Sequence, residues 1–521
     1  MSSLPRSNDV SLVRRIETLL ASGQVPEALG CLRGYLEGAP GDAPALLFLS
    51  RTLSQYGLRA EAADAALAAW AAGSSDASVV HEIGRRLRYF NEYETLAACY
   101  TDDAFFERAP AQALTEASLA LSSIGQHEQA VALVERSLEM APGLAVAHYM
   151  RGNLRSFAGD FDGADDDYER ALERDPRLFQ AAWMQSGLRT QVEGRHHVDR
   201  LRRQLATATP GRVGEVYLEF ALHKELHDLG DFDRAWEHLE AGCRKKRCLV
   251  NYSAMESRDT FAALRQVCTR EFTSAMVPAE MNAVPIFIVG MHRSGTSLVE
   301  RILAGHSSVH DGGETYAFIE QMRRATGQSR ALVADAPLIQ AAATVDFRQV
   351  ASGYGRQARW LARGKPFFTE KLPSNLLHAG FIAKALPSAK IVCLSRAPME
   401  MAFSNLRTLF AEAAPYSYDQ TELADYILQH EELLRTWQRV LGDRLLVLDY
   451  ARLVERFEEE VLRLCDFCGL DFEQGMLDLM RAGGAVTTAS ATQLRGGLRR
   501  DRATVWHPYA AHLEPLSRAL T

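Results

Sequence analysis

The chain has little cysteine for its length and no long apolar run. Eight cysteines in 521 residues are too few for a disulfide-built scaffold. Cys465 and Cys468, in "VLRLCDFCGL", have no second pair and no histidine cluster beside them. A zinc site is therefore not expected, and two buried thiols on one helix face are. No run of about 18 apolar residues occurs, so no membrane-spanning helix is expected. The opening "MSSLPRSNDVSLVRRIETLL" has no signal-peptide core before its charges. A reducing cytoplasm fits these observations. Positive charge is also short, at 58 Lys and Arg against 66 Asp and Glu, a net −8. That argues against nucleic acid as a partner, which would need a basic face.

One further lack is local. "PIFIVGMHRSGTSL", Pro285 to Leu298, has the form of a phosphate-binding loop: an apolar run, Gly290, then Gly295 five residues later. The nucleotide-triphosphatase pattern places Lys next, followed by Ser or Thr. Here Thr296 and Ser297 follow, and the basic residue, Arg293, lies inside the loop. Such a loop is poorly suited to the β- and γ-phosphates of a magnesium-bound nucleotide.

What is present is ordinary globular composition, 47% hydrophobic and 24% charged, in a chain long enough for two or three domains. The first half repeats. Gly23, Gly57, Asn91, Gly125 and Gly159 stand 34 residues apart, with Ala28, Ala62, Leu96, Ala130 and Ala164 five residues after each. Pro40, Pro142 and Pro176 close three of the units. "AVAHYMRGNLRSFAGDFDGADDDYERALERDPRL" has the spacing of a tetratricopeptide repeat (TPR): Gly159 turns between two helices, Ala164 lets them approach, Tyr168 fills the gap and Pro176 stops the second. The pattern restarts at Gly230, Ala235 and Leu239, and is degenerate around Asn91 and Glu193. Residues 9–245 are expected to form about seven helical pairs in a superhelix, offering a groove to a peptide or protein, or else serving only as a brace. "RKKR", Arg244 to Arg247, reads as a solvated helix end.

From Ile286 the pattern changes to short β-branched runs alternating with amphipathic stretches, as a parallel sheet covered by helices requires. Strands are expected at "PIFIVG", "FFTEK", "KIVCLSR" and "LLVLDY". Ligand groups belong at their C-terminal ends. Backbone N–H groups of the glycine loop and a helix N-terminus behind it make an anion nest. Arg293 adds a cation, and Ser294, Thr296 and Ser297 add hydroxyls. A 5′-phosphosulfate or a diphosphate suits it.

The stretch from Pro285 to the C-terminus resembles the sulfotransferases that use 3′-phosphoadenosine-5′-phosphosulfate (PAPS). The nearest group is the bacterial one with TPR repeats, related to the tyrosylprotein sulfotransferases; with the repeats included, the resemblance covers almost the whole chain. It implies an α/β P-loop-like parallel-sheet sulfotransferase domain at 284–521. An all-α TPR superhelix at 1–270 would precede it, joined by a linker at 271–283. In that family "RSGTS", Arg293, Ser294, Gly295, Thr296 and Ser297, grips the 5′-phosphosulfate without metal. In "KIVCLSRAPMEMAFSNLR", Arg396 and Ser404 would bind the 3′-phosphate, and Tyr450 would contact the nucleotide. Family members usually carry Asp after that arginine, where this chain has Ala397.

Sulfuryl transfer needs a base near the acceptor and cations at the leaving oxygen. Glu314, in "VHDGGET", resembles the family's glutamate base, with Gly312 and Gly313 bringing it close. Lys371, Arg293 and the late Ser490 would serve the leaving group, and Gln493 and Arg495 would shape the pocket. His292, His306 and His310 are rival bases. Val505 stands where a cation usually precedes the tryptophan (Trp506), with Arg500 or Arg502 as replacements. The acceptor would be a peptide or protein tyrosine, a carbohydrate or a metabolite. A catalytically decayed scaffold and a nucleotide-dependent kinase are the alternatives.

Overall fold

The computed structural model describes residues 10–277, 281–328, 333–479 and 504–521. Up to Leu249 the described residues form fifteen helices: seven successive pairs, from Val10–Ala21 with Val25–Gly38 to Val213–Asp228 with Phe232–Leu249, and the short helix Asp103–Arg108 between the third pair and the fourth. Two further helices, Ala254–Val267 and Arg270–Ser274, precede the first strand.

The 34-residue period marks the turns inside these pairs. Gly23, Gly57, Gly125, Gly159 and Gly230 all have φ between 76° and 90°, a left-handed conformation that costs glycine nothing. Asn91 holds the same place at φ 55°; asparagine is among the few side chains that tolerate it. Ala28, Ala62, Ala130, Ala164 and Ala235 are at most 1% exposed. A Cβ on Gly152 would sit 2.7 Å from the Tyr168 ring, so this pair closes only over glycine.

The second half holds a five-stranded parallel sheet in the order β2-β3-β1-β4-β5. The strands are β1 (Val284–Gly290), β2 (Val309–Asp311), β3 (Phe367–Lys371), β4 (Lys390–Ser395) and β5 (Leu445–Asp449). β1 lies centrally, Ile288 pairing with Lys371 on one side and Val392 on the other. Four strands fall where the β-branched runs indicate; β2 is a fifth, three residues long and too short to register as a run. One face is covered by the helices Thr296–Leu303 and Phe457–Cys468, whose Leu298, Val299, Ile302, Val461 and Leu464 join Ile286, Ile288, Val392 and Leu448 in one buried cluster. Each such side chain contributes about 1.5–3 kcal/mol by leaving water. Cys465 and Cys468 are buried free thiols here.

The chain forms two compact units that do not follow the change from helices to strands. One takes the helices up to Met140 together with the segment from Tyr316 to residue 328; the other takes the remaining helices and the sheet. Within the second unit the "RKKR" reading needs correction. Lys246 is 8% exposed and donates to Ala411 O at 2.9 Å. Lys245 bonds Glu215 and Glu219, and Arg247 grips Glu422 with two nitrogens at 2.6 and 2.8 Å. Three of the four cations are paired with protein groups, Lys246 buried and Lys245 and Arg247 each 31% exposed. Among the described residues no helix is long and apolar enough to cross a membrane.

Candidate functional site

Every strand of the sheet ends in a residue singled out by the sequence. β1 runs into the loop 291–295, and β2 into Gly312, Gly313 and Glu314. β3 ends on Lys371, while β4 and β5 are followed directly by Arg396 and Tyr450. Parallel pairing brings these five ends to one edge of the sheet.

The loop after β1 is strained and pinned. Arg293 sits at φ 67°, which costs a non-glycine residue about 1–3 kcal/mol. Both its ends are held by the segment after β4. Arg396 donates to the Arg293 carbonyl at 3.3 Å, and Arg293 Nε donates to Ser404 Oγ at 3.2 Å. Asn405, fully buried, donates to the His292 carbonyl at 2.7 Å. The two elements proposed for opposite ends of one nucleotide are thus parts of a single hydrogen-bonded body.

Gly295 precedes the helix Thr296–Leu303 at φ 110°. A Cβ there would lie 2.5 Å from the Tyr450 ring. Tyr450 in turn carries the Arg396 guanidinium over its face at 4.7 Å. Thr296 and Ser297 are nearly buried at the start of the helix. Ser294 is fully buried and its Oγ has no partner. An orphaned hydroxyl costs about 1–3 kcal/mol, and beside a helix N-terminus that has no side-chain cap it suits an anionic oxygen.

Ala397 does not leave Arg396 loose. Glu400, one helical turn on, accepts from Arg396 Nε at 3.0 Å. The orientation that a neighbouring Asp would supply comes instead from the helix Pro398–Leu406 and from the Tyr450 ring.

The third group lies at the ends of β2 and β3. Gly312 approaches β3 so closely that a Cβ would sit 2.2 Å from the Thr369 carbonyl. Lys371 N donates to Gly313 O at 2.9 Å, prolonging the strand pairing by two residues. Glu314 is thereby brought to Lys371, whose Nζ donates to its Oε1. Lys371 is 0% exposed and Glu314 46%. Glu300, missed in the sequence, completes the group: its Oε2 lies 3.8 Å from Lys371 Nζ, and its Oε1 accepts from Gly313 N and Thr369 Oγ1, both at 3.2 Å. Burial pushes the Glu300 carboxyl up to about 7 against the opposing pull of Lys371. Its signal in the sequence was helical phase: it lies one turn behind Thr296.

Two of the three rival histidines, His292 and His306, are hydrogen-bonded. His292 meets Tyr416 Oη through Nδ1 at 2.9 Å, and burial lowers it to about 4, a weak base at neutral pH. His306 has both ring nitrogens in use, at Asp471 O and Ser308 N. His310 is lowered chiefly by burial, and its Nδ1 is buried without a partner. Val505 and Trp506 pack against the cluster containing Tyr509 and Phe403. Ser490, Gln493, Arg495, Arg500 and Arg502 lie outside the described residues.

Comparison with known proteins agrees with this layout. Residues 285–474 match the model of the sulfotransferase family, and residues 111–143 and 145–178 match the tetratricopeptide repeat. An Aquifex aeolicus protein of uncharacterized function is 29% identical over 310 residues, 58% of this chain and 41% of its own length. The chain thus spans less than half of that relative. A Caenorhabditis briggsae protein, named provisionally as a protein-tyrosine sulfotransferase, is 24% identical over 231 residues, 42% of this chain and 80% of its own. The solved sulfotransferase domain from the curacin biosynthetic pathway is 18% identical over 44% of this chain and 99% of its own, with a TM-score of 0.28. At that score the fold rests on the strand order and pairing given above. The resemblance read from the motifs holds: the chain carries a sulfotransferase-family segment behind tetratricopeptide repeats.

Proposed function

We propose that the chain is a PAPS-dependent sulfotransferase acting on a hydroxyl acceptor, its catalytic domain at 284–521 joined to the repeats by a linker at 271–283. The observation that carries this reading is the Lys371–Glu314 pair at the ends of β3 and β2, its lysine enclosed and its glutamate half open.

The residues fit the donor. The loop 293–297 offers an orphaned Ser294 hydroxyl, the helix N-terminus and the Arg293 guanidinium to a 5′-phosphosulfate. Arg396 and Ser404 stand ready for the 3′-phosphate, and Tyr450 flanks Arg396 where the nucleoside would lie. PAPS supplies an activated sulfuryl group, so no metal is required of the chain. Glu314 removes the proton from the acceptor hydroxyl as the new O–S bond forms. Lys371 and Arg293 face the negative charge that builds on the departing phosphate oxygen, with Ser490 as a third donor. Glu300 fixes Gly313, and through it the loop that presents Glu314.

A glutamate base favours a tyrosine in a peptide or protein as acceptor, over a carbohydrate or metabolite. A decayed scaffold is disfavoured by the Glu400–Arg396 contact, which restores what Ala397 takes away. The test is transfer of labelled sulfate from PAPS to tyrosine-containing peptides, with carbohydrate acceptors alongside. Glu314→Gln should lower turnover about 10²–10⁴-fold while donor binding survives. Unchanged turnover in that variant removes Glu314 from the chemistry.

A further inference from the structure

The compact unit formed by the N-terminal repeats includes a helix from the sulfotransferase-family segment, Ala317–Thr326. Its Glu320 is 0% exposed and Arg59, from the second repeat, 4%. Arg59 reaches both carboxylate oxygens, Nε at 2.9 Å from Oε1 and Nη2 at 2.6 Å from Oε2. Arg324 donates to Glu320 Oε1 at 3.1 Å and to Glu92 Oε1 at 2.6 Å. The third repeat, degenerate in sequence, supplies the rest. Asn91 stands where other units carry glycine, and its Nδ2 reaches Glu320 Oε2 at 3.4 Å. Its Oδ1 accepts from Tyr93 Oη at 3.2 Å. Tyr93 Oη in turn accepts from the backbone N–H of Tyr316 at 2.8 Å.

We infer that the N-terminal repeats have a segment of this same chain, Tyr316 to residue 328, as their ligand, and that by holding it they set the position of Glu314. The inference rests on the role proposed for Glu314. A peptide groove would spend its polar groups at the surface, where a free partner can reach them. Here a buried, doubly bonded ion pair takes an internal helix, and the repeat that departs from the consensus is the one that reaches the helix start.

The link to the base is covalent and short. Glu314 is held by Lys371 through its side chain, and Tyr316 is held by Tyr93 through its N–H. Only Thr315, 4% exposed, lies between. Consecutive Cα atoms are about 3.8 Å apart, so Glu314 and Tyr316 stay within about 7.6 Å of each other, and a displacement of Tyr316 larger than the two backbone dihedrals of Thr315 absorb is passed to Glu314. Tyr93 and Asn91 are thus positioning residues, since they act through the backbone and touch no reacting atom.

The test uses the full chain, with Tyr93→Phe as the mild variant and Arg59→Met as the second. Hydrogen exchange is followed by mass spectrometry over 313–328, together with steady-state kinetics with PAPS. In Tyr93→Phe, exchange at Gly313–Tyr316 should speed up, and kcat should fall about 10- to 100-fold, the scale of an ångström misplacement. KM for the donor and binding of 3′,5′-adenosine bisphosphate should stay as in the wild type. Arg59→Met should speed exchange through both 313–316 and 317–326. Unchanged exchange at 313–316 in both variants, whatever the helix does, overturns the inference. A wild type that transfers no sulfate from PAPS sinks the proposed activity instead, and the exchange result still decides the clamp.

Discussion

Two ion pairs stand on either side of Thr315, one built on arginine and one on lysine, and they differ in how far they are enclosed. Arg59–Glu320 is closed: both side chains are at most 4% exposed, the contact is bidentate, and Arg324 and Asn91 fill the remaining carboxylate positions. Lys371–Glu314 is closed on one side only, with the lysine at 0% and the glutamate at 46%. A fully enclosed, fully bonded pair has nothing left to offer a ligand and serves geometry. A pair with its carboxylate half in solvent keeps an oxygen free to accept a proton. A cation–carboxylate pair is a rivet in one place and, in the proposed reaction, the working pair in the other.

The comparison breaks most sharply at Glu314. Glu314→Gln keeps the shape and a hydrogen-bond acceptor for Lys371, so the melting temperature should move little while sulfate transfer falls by the two to four decades given above. A large loss of stability with intact transfer would reverse the two roles. At the closed pair the expectation is opposite. Arg59→Met leaves Glu320 buried with less compensation and should cost about 3–5 kcal/mol, read as a lower urea midpoint for the transition that reports the N-terminal repeats. A change below about 1 kcal/mol, the worth of a surface pair, would mean that the pair is not enclosed in solution.

The smallest effect is in pH. Burial holds His292 and His430 at about 4, below the ordinary 6.5, so they are neutral when folded. The unfolded chain takes up their protons first, and the stability they contribute is present above about 6.5 and lost as pH falls toward 4. Glu300, raised to about 7, runs the other way: its contribution is whole below the ordinary value near 4.5 and is lost as pH rises through 7. Melting temperature should therefore pass through a maximum between these limits. Glu300→Gln should flatten the fall on the alkaline side and steepen the rise between about 4.5 and 6.5, and an unchanged alkaline limb would contradict the assignment.

Much of this was legible in the sequence because it is local. The 34-residue period fixed the turns, and the β-branched runs located four of the five strands. Arg293 was read from the glycine loop itself, while Glu314, Lys371, Arg396 and Tyr450 came from the resemblance to the sulfotransferases. What was hidden depends on contacts far apart in the chain. β2 has only three residues and is defined by its pairing with β3. Glu300 reads as an ordinary helix residue until Gly313 and Thr369 come to it. "RKKR" reads as a solvated end because Glu422 and Ala411 lie more than 150 residues on. Asn91 looked like decay in the repeat, yet its side chain is the point of the departure. Glu400 is the instructive case: it stands only three residues beyond Ala397, but its service to Arg396 depends on the helix starting at Pro398.

The central claim is that the edge of this sheet binds the nucleotide of a sulfuryl donor, and calorimetric titration with 3′,5′-adenosine bisphosphate tests it most directly, with magnesium-ATP as the comparison. The account requires one bisphosphate per chain, bound without metal. Arg293→Ala and Arg396→Ala should each weaken that binding about 10- to 100-fold, the worth of a charge-assisted hydrogen bond of about 1.5–3 kcal/mol. No heat with the bisphosphate, or binding of magnesium-ATP in its place, would contradict it.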